Sequence, residues 1–287
     1  MLASATVMGS TGMTGTDMVK LLRSSGANLN EVDRSSTPLE LSVDALASLV
    51  EGSAVVYNCL AYTNVDAAEA NEIEATEVNG HFVGRLAEAC KKTGSRLFHI
   101  STDYVFDGKG TAPYNVNDSP NPQTAYGRSK LVGERALIDA AGEFTIFRTS
   151  WLYGVTGSNF AKTIANRLAM GEPVSVVADQ TGSPTWTEDL VKLLANYGTL
   201  AEAPKIVHAT SSGSCSWFEF AQQIALSMNL DPNHAVTPTS SASSHQIASR
   251  PPYSVLNNSE SPLVPIGDWK SRWLEARSEV LLSVKQE

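Results

Sequence analysis

Residues 5–15 read Ala5-Thr6-Val7-Met8-Gly9-Ser10-Thr11-Gly12-Met13-Thr14-Gly15, an apolar run ending in a G-x-x-G-x-x-G turn, and residues 17–23 continue as a helical pattern. Glycines in such a turn let the backbone bend tightly and approach a ligand closely. The first N–H groups of the helix that follows are uncancelled donors at a positive dipole end. A dinucleotide diphosphate suits that end, which makes Gly9, Gly12 and Gly15 candidate cofactor residues. Alone, the pattern is also a common structural turn, so the surrounding chain must decide.

Outward from this loop, short apolar runs alternate with helix-length segments: 54–59 then 69–92, 96–100 then 126–141, then 144–147. Runs buried on both faces and separated by helices predict βαβ units and a parallel sheet. In the second long helix Val78, Phe82, Leu86 and Ala89 form one apolar stripe, which Lys91, Lys92 and Gly94 close with C-terminal cations and a left-handed cap. Beyond Trp151 the texture is loop-rich, with helical patterns at 160–170, 188–196 and 217–228 and an irregular Ser/Pro-rich stretch at 238–252. The fold expected is α/β, a Rossmann-type doubly wound parallel sheet with a smaller, loop-rich C-terminal lobe. Residues 1–150 would form the dinucleotide-binding domain, with a return strand near 173–178 and another near 205–209. Residues 151–287 would be mainly the substrate-binding lobe.

The 287 residues are 42% hydrophobic and 18% charged, a globular composition long enough for one large α/β domain and a companion lobe. A net charge of -9 with no basic run repels phosphate backbones and anionic lipid, so neither nucleic acid nor membrane is expected as a partner. Cys59, Cys90 and Cys215 are odd in number and widely spaced, and the five histidines lack ligand spacing, so no disulfide framework and no metal site is assigned. The first eight residues carry no basic flank and reach glycine too early for a secretory segment, which places the protein in the cytoplasm.

Three further features converge on one chemistry. The second strand ends in Val32-Asp33-Arg34, with Asp33 eighteen positions beyond Gly15, where a carboxylate bonds a ribose hydroxyl. Arg34 beside it can instead pair with a 2′-phosphate, so NADH and NADPH both stay open. Tyr126 and Lys130 stand four apart in Tyr126-Gly127-Arg128-Ser129-Lys130, on one face of a helix. A nearby cation favours phenolate, so this spacing predicts a Tyr126 pKa below about 10 and a general acid for carbonyl reduction. Finally, Ser101-Thr102-Asp103 follows the run Phe98-His99-Ile100 at the carboxyl edge, where open α/β sheets bind ligands.

On these residues the chain resembles the extended short-chain dehydrogenase/reductase family. The specific blocks are Ser101-Thr102-Asp103-Tyr104-Val105-Phe106-Asp107-Gly108, Tyr126-Gly127-Arg128-Ser129-Lys130, Arg148-Thr149-Ser150-Trp151 and Asp179-Gln180-Thr181-Gly182-Ser183-Pro184-Thr185, with Asn58 to Glu69 before them and Arg250-Pro251 after. The resemblance implies NAD(P)H-dependent reduction of the 4-keto group of dTDP-6-deoxy-L-lyxo-4-hexulose to dTDP-L-rhamnose. It makes Tyr126 the proton donor, Lys130 a ligand of the nicotinamide ribose, and Thr102 the partner of the reacting oxygen. It implies Gly12, Met13 and Thr14 at the pyrophosphate and Asp33 at the adenosine ribose. It also implies Glu40 and Leu41 beside the adenine, and Ala61, Tyr62 and Thr63 along the cofactor's middle. Thr102, Asp103 and Trp151 would hold the sugar, Trp151 through a flat apolar face. Met8, Leu60 and Val116 depart from the family pattern. Some members bridge a homodimer through magnesium-binding glutamates; that set is not matched here, and the assembly stays open.

The plainer readings are specific too. His99 in an apolar strand reads as a satisfied core histidine, and Asp66 and Glu69 as helix N-terminal charges. Arg250 is either a neutraliser of the substrate diphosphate or a solvated arginine. A related nucleotide-sugar reductase or epimerase shares the loop and the Tyr/Lys pair. A non-catalytic regulatory subunit, similar to the methionine adenosyltransferase β subunit, shares the family.

Overall fold

The computed structural model describes residues 4–33, 39–243 and 247–284. Its first half alternates β1 (Ser4–Met8), α1 (Met13–Ser24), β2 (Asn28–Val32), α2 (Val43–Val50), β3 (Val55–Asn58), α3 (Phe82–Thr93), β4 (Arg96–Thr102), α4 (Ala125–Ala140) and β5 (Phe144–Thr149). A late strand, β6 (Ile206–His208), completes a six-stranded sheet in the spatial order β6-β5-β4-β3-β1-β2, with every pairing parallel.

The inner strands β1, β3, β4 and β5 are buried on both faces because both faces are covered, whereas the edge strand β2 is mostly exposed. Met8, Val56, Leu97 and Ile146 point to one side, against Leu46 and Val50 of α2, Phe82 and Leu86 of α3 and Leu137 of α4. Their neighbours Val7, Tyr57, Phe98 and Phe147 point to the other, against Met18 and Leu22 of α1. On that second face Tyr57, Phe98, Phe147 and Tyr197 make successive edge-to-face contacts at ring-centroid distances of 5.6, 5.2 and 5.2 Å. β1 lies between β2 and β3, so the chain leaves its carboxyl end toward one side and returns on the other. A crevice opens at such a reversal.

The helix read at 69–92 is interrupted. Short helices at Val65–Ala70 and Glu72–Thr76 lead through a π-helical turn, Glu77–His81, into α3. The break falls at Asn71, whose φ of -129° is not helical. The apolar stripe survives it, since Val78, Phe82, Leu86 and Ala89 are all buried, and Gly94 closes α3 at φ 76°.

After β5 the chain builds a second lobe from α5 (Phe160–Ala169), α7 (Trp217–Ser227) and α8 (Trp269–Val284), whose core includes Ile164, Phe220, Ile224, Trp273 and Ala276. Between them α6 (Thr187–Tyr197) returns to the first sheet and packs Leu190, Leu194 and Tyr197 on it. The strand expected near 173–178 exists as Val174–Val177, but it is not a return strand of the central sheet: it pairs with Val236–Thr239. Its alternating burial explains why, since Val174 and Val176 face the second core while Ser175 is exposed. The edge beside β5 belongs to β6. No helix among the described residues is long and apolar enough to cross a membrane.

Candidate active site

The first turn of α1 forms one wall. Gly9 adopts φ 74°, and the N–H groups of Gly9 and Ser10 both donate to Val32 O, at 2.7 and 3.1 Å, which folds the loop over the end of β2. A Cβ on Gly15 would overlap Gly9 O, so only glycine lets the helix begin this close to the loop. Gly12 is the N-cap, no side chain caps the helix, and its first turn holds no acidic residue. Those N–H groups therefore stay available to an anion, which fits a dinucleotide diphosphate.

Gly12, Met13 and Thr14 line a cleft of about 570 Å³ at the carboxyl edge of the sheet. Ala61 and Thr63 line it beyond β3, Thr102 and Asp103 beyond β4, Tyr126 and Lys130 from α4, and Trp151 beyond β5. Residues as far apart in sequence as Gly12 and Trp151 thus meet because four parallel strands end together.

Tyr126 is set by the start of α4. Thr124 accepts from Gly127 N at 3.0 Å as the N-cap, and Glu69 accepts from Ala125 N at 2.9 Å, so the carboxylate read as a helix charge holds the end of a different helix. The Tyr126 ring lies edge-to-face on Tyr104 at 5.7 Å. The expectation that Lys130 draws the phenol below its ordinary pKa is overturned. Desolvation pushes Tyr126 up to about 12, opposed by a hydrogen bond with Thr102, and the nearby charge that matters is Asp103, which raises it further. Helical spacing brings Lys130 to the same face, but its Nζ donates to Ile100 O at 2.6 Å and lies 3.3 Å from His99 Nε2. Burial brings Lys130 itself down to about 8. At neutral pH the phenol keeps its proton.

Thr102 Oγ1 donates to Asp103 Oδ1 at 3.0 Å and accepts from Tyr104 N at 3.2 Å. Asp103 is buried, and desolvation raises its pKa from 3.8 to about 6 against the hydrogen bonds of Ser254 and Thr102. The native state therefore holds this proton more tightly than the unfolded chain, and stability is lost as pH rises from about 4 through about 6. Asp103→Asn is expected to stabilise the protein at pH 7.5 by roughly 1–3 kcal/mol and to give no gain at pH 4. Urea midpoints at the two pH values check this, and an equal gain at both contradicts it.

Trp151 departs from expectation. It has a left-handed φ of 47°, which costs a non-glycine residue of order 1–3 kcal/mol and persists only where neighbours over-determine it. A Cβ built on Gly182 would lie 2.7 Å from both Cζ2 and Nε1 of the indole and closer still to Cε2, a position over the ring face. On the other face Trp217 stacks at 3.5 Å with planes 7° apart. The flat face read as a sugar platform is thus covered on both sides, and Trp151 presents an edge to the cleft. Trp217, not singled out from the sequence, also lines the cleft.

Arg250 stands outside this cleft lining. Its guanidinium binds Asp66 at 3.2 and 2.9 Å, and Asp66 also accepts from Ala248 N at 3.0 Å. Its bidentate partner lies on the Val65–Ala70 helix, and Arg250 lines a small separate pocket with Tyr104, which also lines the cleft. Tyr62 turns its ring toward Ala68, Ala75 and Ala125, while its N–H and C=O are fixed by the Asn79 side chain at 2.9 and 3.0 Å. Asn79 was another residue the sequence reading missed, although a buried amide beside Val78 in an apolar stripe was its signal.

Asp33 directly follows β2 beside the glycine loop, outside the cleft lining. Arg34 lies outside the described residues. Glu40 is exposed, and Leu41 packs against the core that contains Leu46 and Val50; neither lines the cleft. His99 is buried and hydrogen-bonded on both ring nitrogens, as a satisfied core histidine should be.

Known proteins share this architecture. A dTDP-4-dehydrorhamnose reductase of Streptomyces griseus is 38% identical over 279 residues, covering 94% of this chain and 91% of that protein. A probable dTDP-4,6-dihydroxy-2-methyloxan-3-one 4-ketoreductase of Streptomyces antibioticus is 37% identical over 280 residues, covering 96% and 95%. The crystal structure of a dTDP-4-dehydrorhamnose reductase from Bacillus anthracis in complex with NADP superposes with a TM-score of 0.92 at 31% identity, covering 97% of this chain and 100% of that one. The family model described as RmlD substrate binding domain matches residues 4–282. With that model spanning nearly its whole length, the chain belongs to the RmlD substrate binding domain family.

Proposed function

We propose that this chain is an NAD(P)H-dependent oxidoreductase that reduces the 4-keto group of dTDP-6-deoxy-L-lyxo-4-hexulose to dTDP-L-rhamnose in the cytoplasm, as a dTDP-4-dehydrorhamnose reductase. The observation that carries this reading is the meeting of a protonated phenol, Tyr126, and the Thr102 hydroxyl in the same cleft as the uncapped N-terminus of α1. The relatives named for reducing keto-deoxyhexoses support the substrate class.

A bound reduced nicotinamide supplies the hydride. The chain supplies the rest. The N–H groups of Met13 and Thr14 take the diphosphate beside Gly12, Ala61 and Thr63 flank the dinucleotide, and Asp33 stands on the side of the adenosine ribose. Lys130 is the cation within reach of the nicotinamide ribose. Tyr126 gives its proton to the carbonyl oxygen as charge develops there, and the Thr102 hydroxyl orients that oxygen. Holding donor and acid against one carbonyl contributes rate by geometry alone. Trp151 and Trp217 wall the sugar by their indole edges.

The test is oxidation of NADPH and of NADH in the presence of dTDP-6-deoxy-L-lyxo-4-hexulose, with dTDP-4-keto-6-deoxy-D-glucose as competitor and the product identified by NMR. Stoichiometric oxidation yielding dTDP-L-rhamnose is expected. Turnover of the D-gluco sugar alone assigns a related reductase, and inversion without cofactor oxidation assigns an epimerase. No activity on either sugar, together with a stoichiometric synthetase partner, assigns a regulatory subunit.

A further inference from the structure

Behind Lys130 lies a chain of buried side chains that the reaction as described does not use. Asn58 closes β3, and its pairing partner across the sheet is His99 of β4. The Asn58 Oδ1 accepts from Leu60 N at 3.2 Å, which fixes the amide so that Nδ2 faces His99 Nδ1 at 3.0 Å. An amide nitrogen only donates, so His99 Nδ1 is an acceptor and carries no proton. Burial, with Lys130 beside it, holds the His99 pKa well below its ordinary value, so the ring is neutral and its single proton sits on Nε2. That Nε2–H points at Lys130 Nζ, 3.3 Å away, while Nζ also donates to Ile100 O at 2.6 Å.

An ammonium has donors only, and facing an N–H it leaves two donors opposed. A neutral amine removes the opposition: one N–H stays on Ile100 O, and the lone pair accepts from His99. We infer that Asn58 and His99 form a fixed donor chain that favours the neutral amine of Lys130 while the cleft is empty, so that dinucleotide binding draws a further fraction of a proton onto Nζ. Asn58 and His99 are positioning residues in this scheme, and the second half of it rests on the reading above that Lys130 meets the nicotinamide ribose. On binding, the amine lone pair leaves the His99 N–H and forms an N–H bond with a solvent proton. The ribose hydroxyls offer the resulting ammonium acceptor oxygens, and the diphosphate brings negative charge into the cleft.

The other groups around Nζ do not account for a neutral amine. Glu134, one turn along α4, favours the ammonium, but it is bound to Arg148 and Ser101. The Cys59 thiol is pushed up to about 12 and the Tyr126 phenol to about 12, so both are uncharged at neutral pH. Asp103, at the end of β4, titrates near 6 and is constant above pH 7. Burial acts in the same direction as the donor chain and brings Lys130 to about 8.

The experiment uses the intact, isotopically labelled chain without ligand. Nitrogen-15 NMR should report His99 as the Nε2–H tautomer, and the Lys130 Cε resonance should titrate near pH 8. His99→Gln, whose side-chain carbonyl can accept from an ammonium, should move that midpoint up by about 1 unit or more. An Nδ1–H tautomer, or a wild-type midpoint near the ordinary lysine value of about 10.4, overturns the inference without needing the variant to fold. Calorimetry of NADPH binding at pH 8, in buffers of different ionisation enthalpy, should show uptake of a fraction of a proton by the wild type. Heat without proton uptake sinks the coupling, whereas no binding heat with NADPH or NADH sinks the oxidoreductase reading and leaves the tautomer and titration to decide the rest.

Discussion

Tyr126→Phe lowers turnover by about 10²–10⁴-fold while the affinity for reduced nicotinamide stays within about twofold of wild type. The substitution removes one oxygen and keeps the ring, so the contact with Tyr104 at 5.7 Å and the seat of α4 on Thr124 and Glu69 persist. What is lost is the proton that must reach the carbonyl oxygen as hydride reaches carbon. Because desolvation holds the phenol near 12, the wild-type donor is fully protonated through the neutral range. With the cleft empty, the group that titrates first on the alkaline side is Lys130, near 8, and not the phenol. Stopped-flow turnover and a fluorescence titration of the cofactor separate the two effects. A variant that turns over at wild-type rate removes Tyr126 from the chemistry.

The largest stability effect is expected at Glu134. Its carboxylate takes Arg148 Nη2 at 2.7 Å, Arg148 Nε at 3.0 Å and the Ser101 hydroxyl at 2.6 Å, and both charged side chains are only 2% exposed. Such a pair is weak evidence of net stabilisation, but removing one member strands the other charge, at about 3–5 kcal/mol. In Glu134→Ala the guanidinium keeps only Val116 O at 3.3 Å and the face of Phe106. Ser101, next to Thr102, loses its acceptor at the same time, so the active-site turn loosens along with the fold. Urea denaturation should show the loss, with Glu172→Ala as a control: the Arg167–Glu172 pair is about half exposed on each side, and its removal should cost under about 1 kcal/mol. A cost for Glu134→Ala as small as the control's contradicts the account of this buried pair.

The features legible in the sequence are those fixed by neighbours along the chain. The glycine loop, the short apolar runs and the spacing of Tyr126 and Lys130 are local patterns. Parallel strands that end together then bring Thr102, Tyr126 and Lys130 to one cleft with little further information. The rest depends on partners that no spacing encodes. Helical periodicity places Lys130 beside Tyr126 but cannot say that Nζ turns to Ile100 and His99 on β4. It also cannot give the depth of burial that reverses the sign of the tyrosine shift. Arg250 looked available because Asp66 lies 184 positions earlier. Val174–Val177 looked like a return strand because its partner, Val236–Thr239, sits in a stretch whose Pro238 and serines read as irregular. Trp217 carried a weak signal, standing just after Ser216 in a capping box with Glu219, but its stack on Trp151 is a tertiary fact.

The central claim is that one carbonyl carbon receives hydride from the dinucleotide in the cleft while Tyr126 protonates its oxygen. The direct measurement follows deuterium from reduced nicotinamide labelled at its own C4 into the sugar product, read by NMR. One deuterium at hexose C4 for each cofactor oxidised, lost together with turnover in Tyr126→Phe, is the predicted result. A converted sugar free of deuterium, formed while the labelled cofactor remains reduced, would contradict it.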